Sequence, residues 1–127
     1  MILPILFVAP SAKGGRGVFS SEKIKAGTVI EISPVLVLSV SDRKFIEQTK
    51  LFNYIFEWGN SRRKAAIAFG YISMYNHDYD ANCSYEMDFD NDLMTLTTVK
   101  DIDKGEEIYI NYNAAPSDKT PLWFNAK

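Results

Sequence analysis

The sequence predicts a mostly β domain with minor α content. Three observations carry that prediction. Short runs rich in β-branched and aromatic residues recur along the chain, the longest being Thr28 to Leu38 (TVIEISPVLVL). Turn signals punctuate them at Gly14, Gly15 and Gly17, at Lys25-Ala26-Gly27 and at Asp103-Lys104-Gly105. Two runs, Ser84 to Phe89 and Leu93 to Val99, flank Asp90-Asn91-Asp92, a strong hairpin signal. This is not the strand–helix alternation of a parallel α/β sheet.

In chain order, Met1 to Pro10 (MILPILFVAP) reads as a first strand. It is too short to span a bilayer. Pro4 and the lack of a charged leading region make it a poor signal peptide. The glycine turn feeds a short strand, Val18 to Ser20. Thr28 to Leu38 is a strand bent at Pro34. Ser41-Asp42 is expected to cap a short helix running through Gln48. Leu51 to Trp58 is aromatic-rich and reads as strand. Ser61 is expected to cap a second helix, with Ala65, Ala66, Ala68 and Phe69 in its body. The hairpin follows, and Ile108 to Tyr112 is the last strand.

The chain has 127 residues, a size that fits one domain over residues 1–127. A content of 46% hydrophobic and 13% aromatic residues favours a packed core over disorder. A net charge of −2 disfavours direct nucleic-acid binding, which calls for a basic face. It is compatible with a cationic peptide partner. No membrane partner is expected. Cys83 is the only cysteine and His77 the only histidine. An internal disulfide and the common zinc sites are therefore excluded, and no metal is expected. Asn82-Cys83-Ser84 fits the N-glycosylation pattern, which carries little weight without a secretory signal. The expected compartment is cytoplasm or nucleus, with passive nuclear entry feasible at 14.4 kDa.

Three segments hold the chemistry: Lys13-Gly14-Gly15-Arg16-Gly17-Val18-Phe19, Tyr75 to Cys83 (YNHDYDANC), and Gly105 to Tyr112 (GEEIYINY). In this order and spacing they resemble the three signatures of the SET domain, over about residues 8–124. The resemblance is to the minimal stand-alone type found in viruses and bacteria. It implies a β-clip-like fold of small curled sheets with a C-terminal pseudoknot. It also implies a helical and aromatic insert at about 41–70 and a short post-SET tail at 113–127. The implied activity is protein-lysine N-methylation with S-adenosyl-L-methionine as cofactor. The implied partner is a lysine-bearing protein or peptide, histones included. Small SET proteins can pair, and the aromatic content here permits a homodimer.

The resemblance also distributes roles. Lys13, Gly15, Arg16 and Gly17 match the cofactor loop, where glycine admits close backbone approach. Asn76 and His77 match the Asn-His core that contacts the cofactor. Asparagine can donate and accept at once, which suits a zwitterionic ligand. A lone histidine among aromatics is more often structural than a proton carrier. Asn82 would tie the pseudoknot loop, and Glu107 would support it. Tyr112 matches the catalytic tyrosine of the last motif and also touches the cofactor. A lysine channel needs aromatic walls. Tyr54, Phe56, Tyr71, Tyr75 and Tyr109 are candidates, with Trp58 nearby and Ile110 two residues before Tyr112. Trp123 and Phe124 in the tail are candidates to stack on adenine.

The match has departures. Asp78 stands where the family has Ser or Cys, Ala81 where proline is common, and Asn111 where Asp is frequent. Ile110 replaces a frequent Phe or Tyr, and the smaller side chain favours multiple methylation. The cysteine-rich zinc module of many histone methyltransferases is absent. The alternative reading is a catalytically inactive SET module that binds a peptide or protein partner. Cofactor binding without turnover would mark it.

Overall fold

The structure, a computed structural model, describes residues 1–112. Residues 113–127, with Trp123 and Phe124, lie outside the described residues. Among the described residues, nine strands form one continuously paired, curled system. They are β1 (Leu6–Pro10), β2 (Arg16–Ser20), β3 (Val29–Leu38), β4 (Ile55–Trp58), β5 (Lys64–Ala68), β6 (Asn76–His77), β7 (Cys83–Asp88), β8 (Leu93–Thr98) and β9 (Glu107–Ile110). The order is β1-β2-β9-β7-β8-β3-β5-β4, and β6 pairs with β9 off this path.

Curling begins in β3. Its first part, Val29 to Pro34, pairs with β8, and its second, Val35 to Leu38, pairs with β5. Pro34 sits at the change of partner. It has no N–H to give, so a strand that must leave one ladder for another loses least there. The β7–β8 hairpin is closed by Asp88. Its carboxylate accepts from the backbone N–H groups of Asp90 and Asn91 and from the Asn91 side chain.

The middle of the chain departs from the sequence expectation in three ways. The helix α1 spans Val40–Ile46, and its cap is Ser39, whose Oγ accepts from the Asp42 N–H at 3.1 Å. Residues Lys50–Tyr54 form a short 3₁₀ turn, so the strand starts only at Ile55. The expected second helix is the strand β5. Alanine favours helix in isolation, but Lys64–Ala68 lies between β3 and β4 and supplies ladder bonds to both. Ala66 is small enough to stand opposite Phe56, and Lys64 pairs with Trp58. Arg43 of α1 secures the β4–β5 turn. It donates to the carbonyls of Arg62 and Lys64 and pairs with Glu57 at 3.0 Å.

The last strand is locked by side chains. β9 lies antiparallel to β2 on one side and parallel to β6 and β7 on the other. Asn82 bridges it. Its Oδ1 accepts from the Tyr109 N–H at 2.8 Å and its Nδ2 donates to the Glu107 carbonyl at 3.0 Å. Ile30, Ile72, Met94, Leu96, Ile102, Ile108 and Ile110 are fully buried between these layers. Cys83 is buried as well, and burial pushes its thiol up to about 12, so it stays neutral.

Candidate active site

The fold brings the three sequence segments together around β9. On one face, the turn before β2 meets β6 and Glu107. Gly17 is needed there for space: a Cβ would lie 2.2 Å from Glu107 Oε2 and 2.9 Å from Asn76 Nδ2. Asn76 Nδ2 uses that space, donating to Glu107 Oε2 at 2.9 Å and to the Arg16 carbonyl at 3.1 Å. Glu107 Oε1 accepts from Ser11 Oγ at 2.7 Å and from the Tyr109 hydroxyl at 3.2 Å. With its backbone paired to Phe19, Glu107 joins all three segments. Lys13 Nζ pairs with Asp78 at 3.0 Å and lies 5.0 Å from the centre of the Tyr109 ring. Partial burial raises the Asp78 carboxyl, but the Asp80 N–H and Lys13 outweigh it and hold the group below its ordinary value.

On the other face, between β4, β7 and the end of β9, lies a cavity of about 270 Å³. Tyr54, Phe56, Tyr85 and Tyr112 supply its aromatic wall, and Met87 and Phe89 continue it outward. Phe56 meets Tyr85 and Tyr112 edge-on, at ring-centre distances of 5.7 and 6.2 Å. Asn53, Asn60 and Ser73 add polar edges.

Tyr112 connects the two faces. Its side chain lines the cavity, and its backbone N–H donates to His77 Nδ1 at 3.1 Å. Its hydroxyl donates to the Tyr75 carbonyl at 2.8 Å. Burial, with Tyr54 nearby, raises the Tyr112 phenol above its ordinary value. Tyr85 donates in turn to the Tyr112 carbonyl at 3.0 Å. Because His77 Nδ1 accepts, its proton sits on Nε2. That Nε2 is buried without a hydrogen-bond partner among the described residues. Burial first, and Lys13 second, lower the imidazole's tendency to charge, against a smaller pull from Asp78.

Of the channel candidates, Tyr54 and Phe56 line the cavity. Tyr109 lies on the glycine-loop face. Tyr71, Tyr75 and Ile110 lie elsewhere, with Tyr75 and Ile110 buried in the core. Trp58 is buried edge-on to Phe89 and lines an adjoining hollow. Sequence reasoning missed Tyr85, Met87 and Phe89. Their signal was present, because residues two apart on the hairpin strand share a face.

The SET-domain profile matches residues 15–113. The chain belongs to the SET-domain family. It is 36% identical over 120 residues to the Schizosaccharomyces pombe histone-lysine N-methyltransferase specific for H3 lysine 37, covering 94% of this chain and 76% of that protein. A solved Plasmodium falciparum protein, described as a candidate histone methyltransferase, superposes with a TM-score of 0.70 at 28% identity. That match covers 90% of this chain and 97% of the other. The Chaetomium thermophilum Polycomb Repressive Complex 2, solved with S-adenosylmethionine bound, matches with a TM-score of 0.71 at 21% identity. It covers 90% of this chain but 16% of that one, and shares the fold. This SET protein is a protein-lysine N-methyltransferase that draws its methyl group from S-adenosylmethionine.

Proposed function

We propose that the enzyme methylates lysine on a histone tail, histone H3 foremost, with Tyr112 as its catalytic residue. The observation that carries this reading is the position of Tyr112, which lines the aromatic cavity while its hydroxyl is held by the Tyr75 carbonyl and its amide by His77. The H3 lysine 37 specificity of the S. pombe relative supports the histone substrate. A histone substrate puts the enzyme in the nucleus. The reading requires neither direct contact with nucleic acid nor a second copy of the chain.

The cofactor, when bound, supplies an electrophilic methyl group on a positive sulfur. Lys13, Gly15, Arg16, Gly17, Asn76 and His77 would hold it. The donor set suits a zwitterion joined to a purine. Lys13 and Asp78 offer opposite charges, and the buried Nε2–H of His77 lacks an acceptor among the described residues. The rest is a matter of the chain's own residues. A substrate lysine has a reference pKa of about 10.4 and must enter the reaction neutral. The walls of Tyr54, Phe56 and Tyr85 desolvate the amine and favour its neutral form. Tyr112 stays protonated, so it is no general base. Its proton is given to the Tyr75 carbonyl, so its oxygen would meet the substrate amine as an acceptor. That contact would orient the amine for in-line attack, so catalysis is chiefly alignment.

The test is methyl transfer from labelled S-adenosylmethionine to core histones, comparing wild type with Tyr112→Phe. Label on histone H3, lost in a variant that still binds cofactor by calorimetry, is the expected result. Unchanged labelling in Tyr112→Phe would remove the catalytic role. Cofactor binding with no transfer by the wild type to any histone would favour the inactive binding module.

A further inference from the structure

Glu31 is fully buried in β3, and no Lys or Arg pairs with it among the described residues. A buried carboxylate without a cation depends on hydrogen-bond donors, and three converge here. The Tyr75 hydroxyl donates to Oε1 at 2.8 Å. Ser33 Oγ and the Tyr71 N–H donate to Oε2 at 2.7 and 2.9 Å. Gly70, at φ +66°, makes room for them: a Cβ there would lie 2.2 Å from Glu31 Oε2 and 2.5 Å from Ser33 Oγ.

Two of the three donors flank one short element. Residues Ile72–Met74 form a 3₁₀ turn, and Tyr71 and Tyr75 are its flanking residues. The carboxylate therefore clamps both ends of the turn that leads into Asn76-His77. The Tyr75 carbonyl at the end of that turn receives the Tyr112 hydroxyl. The chain of contacts runs from Glu31 Oε1 to the Tyr75 phenol, along Tyr75 to its carbonyl, and on to the Tyr112 hydroxyl.

We infer that Glu31 is a positioning residue for methyl transfer: by holding Tyr75 it fixes the carbonyl that aims the Tyr112 hydroxyl. The inference rests on the catalytic reading of Tyr112. Glu31 touches neither the cavity nor the glycine-loop face. Its influence is on the direction of one O–H bond, and small errors of alignment at a reacting centre cost rate steeply.

Two substitutions separate positioning from simple stability. Tyr75→Phe removes the phenol donor and keeps the buried ring. Ser33→Ala removes another donor to the same carboxylate, but one on β3 itself. Both are expected to lower the melting temperature. Tyr75→Phe is expected to lower kcat about tenfold, with KM for peptide and cofactor within about twofold. Ser33→Ala is expected to keep kcat within about twofold. Equal losses in kcat, or none in either, would overturn the inference. A second readout is independent of turnover. In protein labelled at tyrosine Cζ with carbon-13, the Tyr112 signal is identified by its absence from Tyr112→Phe. It should shift in Tyr75→Phe and stay in place in Ser33→Ala. An unmoved Tyr112 signal in Tyr75→Phe refutes the link whatever the activity. A moved signal with full activity in Tyr112→Phe would keep the link and discard the catalytic reading.

Discussion

Replacing Asn82 by alanine should cost far more than the loss of one surface amide. The side chain is buried and spans β9, accepting from the Tyr109 N–H and donating to the Glu107 carbonyl. Alanine removes both partners and leaves a donor and an acceptor of the backbone unpaired. Each such group costs about 1–3 kcal/mol, so the expected loss is about 2–6 kcal/mol. In a domain of this size that is a fall in melting temperature on the order of 10 °C. The damage falls on the strand that carries Glu107 and leads to Tyr112, so cofactor affinity should drop as well. Equilibrium urea unfolding measures the first effect and calorimetry the second. Asn82→Asp sharpens the test. It keeps the acceptor for Tyr109 but turns a carboxylate oxygen toward the Glu107 carbonyl, so it should not restore the lost stability. A loss below about 1 kcal/mol for Asn82→Ala would refute the argument that this residue locks β9.

Acidification should weaken the fold through His77. Its folded-state pKa is lowered, so the unfolded chain binds the proton more readily and stability falls as pH drops from the ordinary value of about 6.5 toward the folded one. His77 is the only histidine, so this part of the pH–stability profile should flatten in His77→Asn; a profile equally steep in both proteins contradicts the assignment. Gly17→Ala should separate Glu107 from Asn76, because the new methyl would occupy the position of their contact. A drop in cofactor affinity of tenfold or more by calorimetry is expected, and wild-type affinity would contradict the crowding argument.

The sequence was legible wherever a residue's role depends on near neighbours. The β7–β8 hairpin follows from Asp90-Asn91-Asp92, and the break in β3 follows from Pro34. The three motif segments were legible by their order and spacing, and the fold assembles them around Glu107, whose carboxylate receives Ser11 from 96 positions away. What stayed hidden depends on distant partners. Ala65, Ala66 and Ala68 read as helix because the strands that claim them, β3 and β4, are fixed by tertiary pairing. The glycine-rich turn read as a backbone device, yet Gly17 matters for the volume its missing side chain leaves to Asn76 and Glu107.

Glu31 is the sharpest case. In the run Val29-Ile30-Glu31-Ile32 the acid looks like the solvent face of an alternating strand. Ile30 and Glu31 are in fact both fully buried, because a β-bulge between Val29 and Glu31 shifts the alternation by one residue, and Glu31, Ser33 and Val35 then share the buried face. Alternation reports which face is buried only while the register is unbroken. Here the face that Glu31 joins meets the turn that precedes Asn76-His77, and two of the three donors that make a buried carboxylate tolerable lie 40 and 44 positions away. No local pattern could announce them. A polar residue buried at the cost of its hydration, with two of its three donors aimed from the turn whose end receives the Tyr112 hydroxyl, is the kind of feature that stability alone does not require. An apolar side chain would fill the same space, but it would leave the Tyr71 N–H unpaired and the Tyr75 ring free to shift.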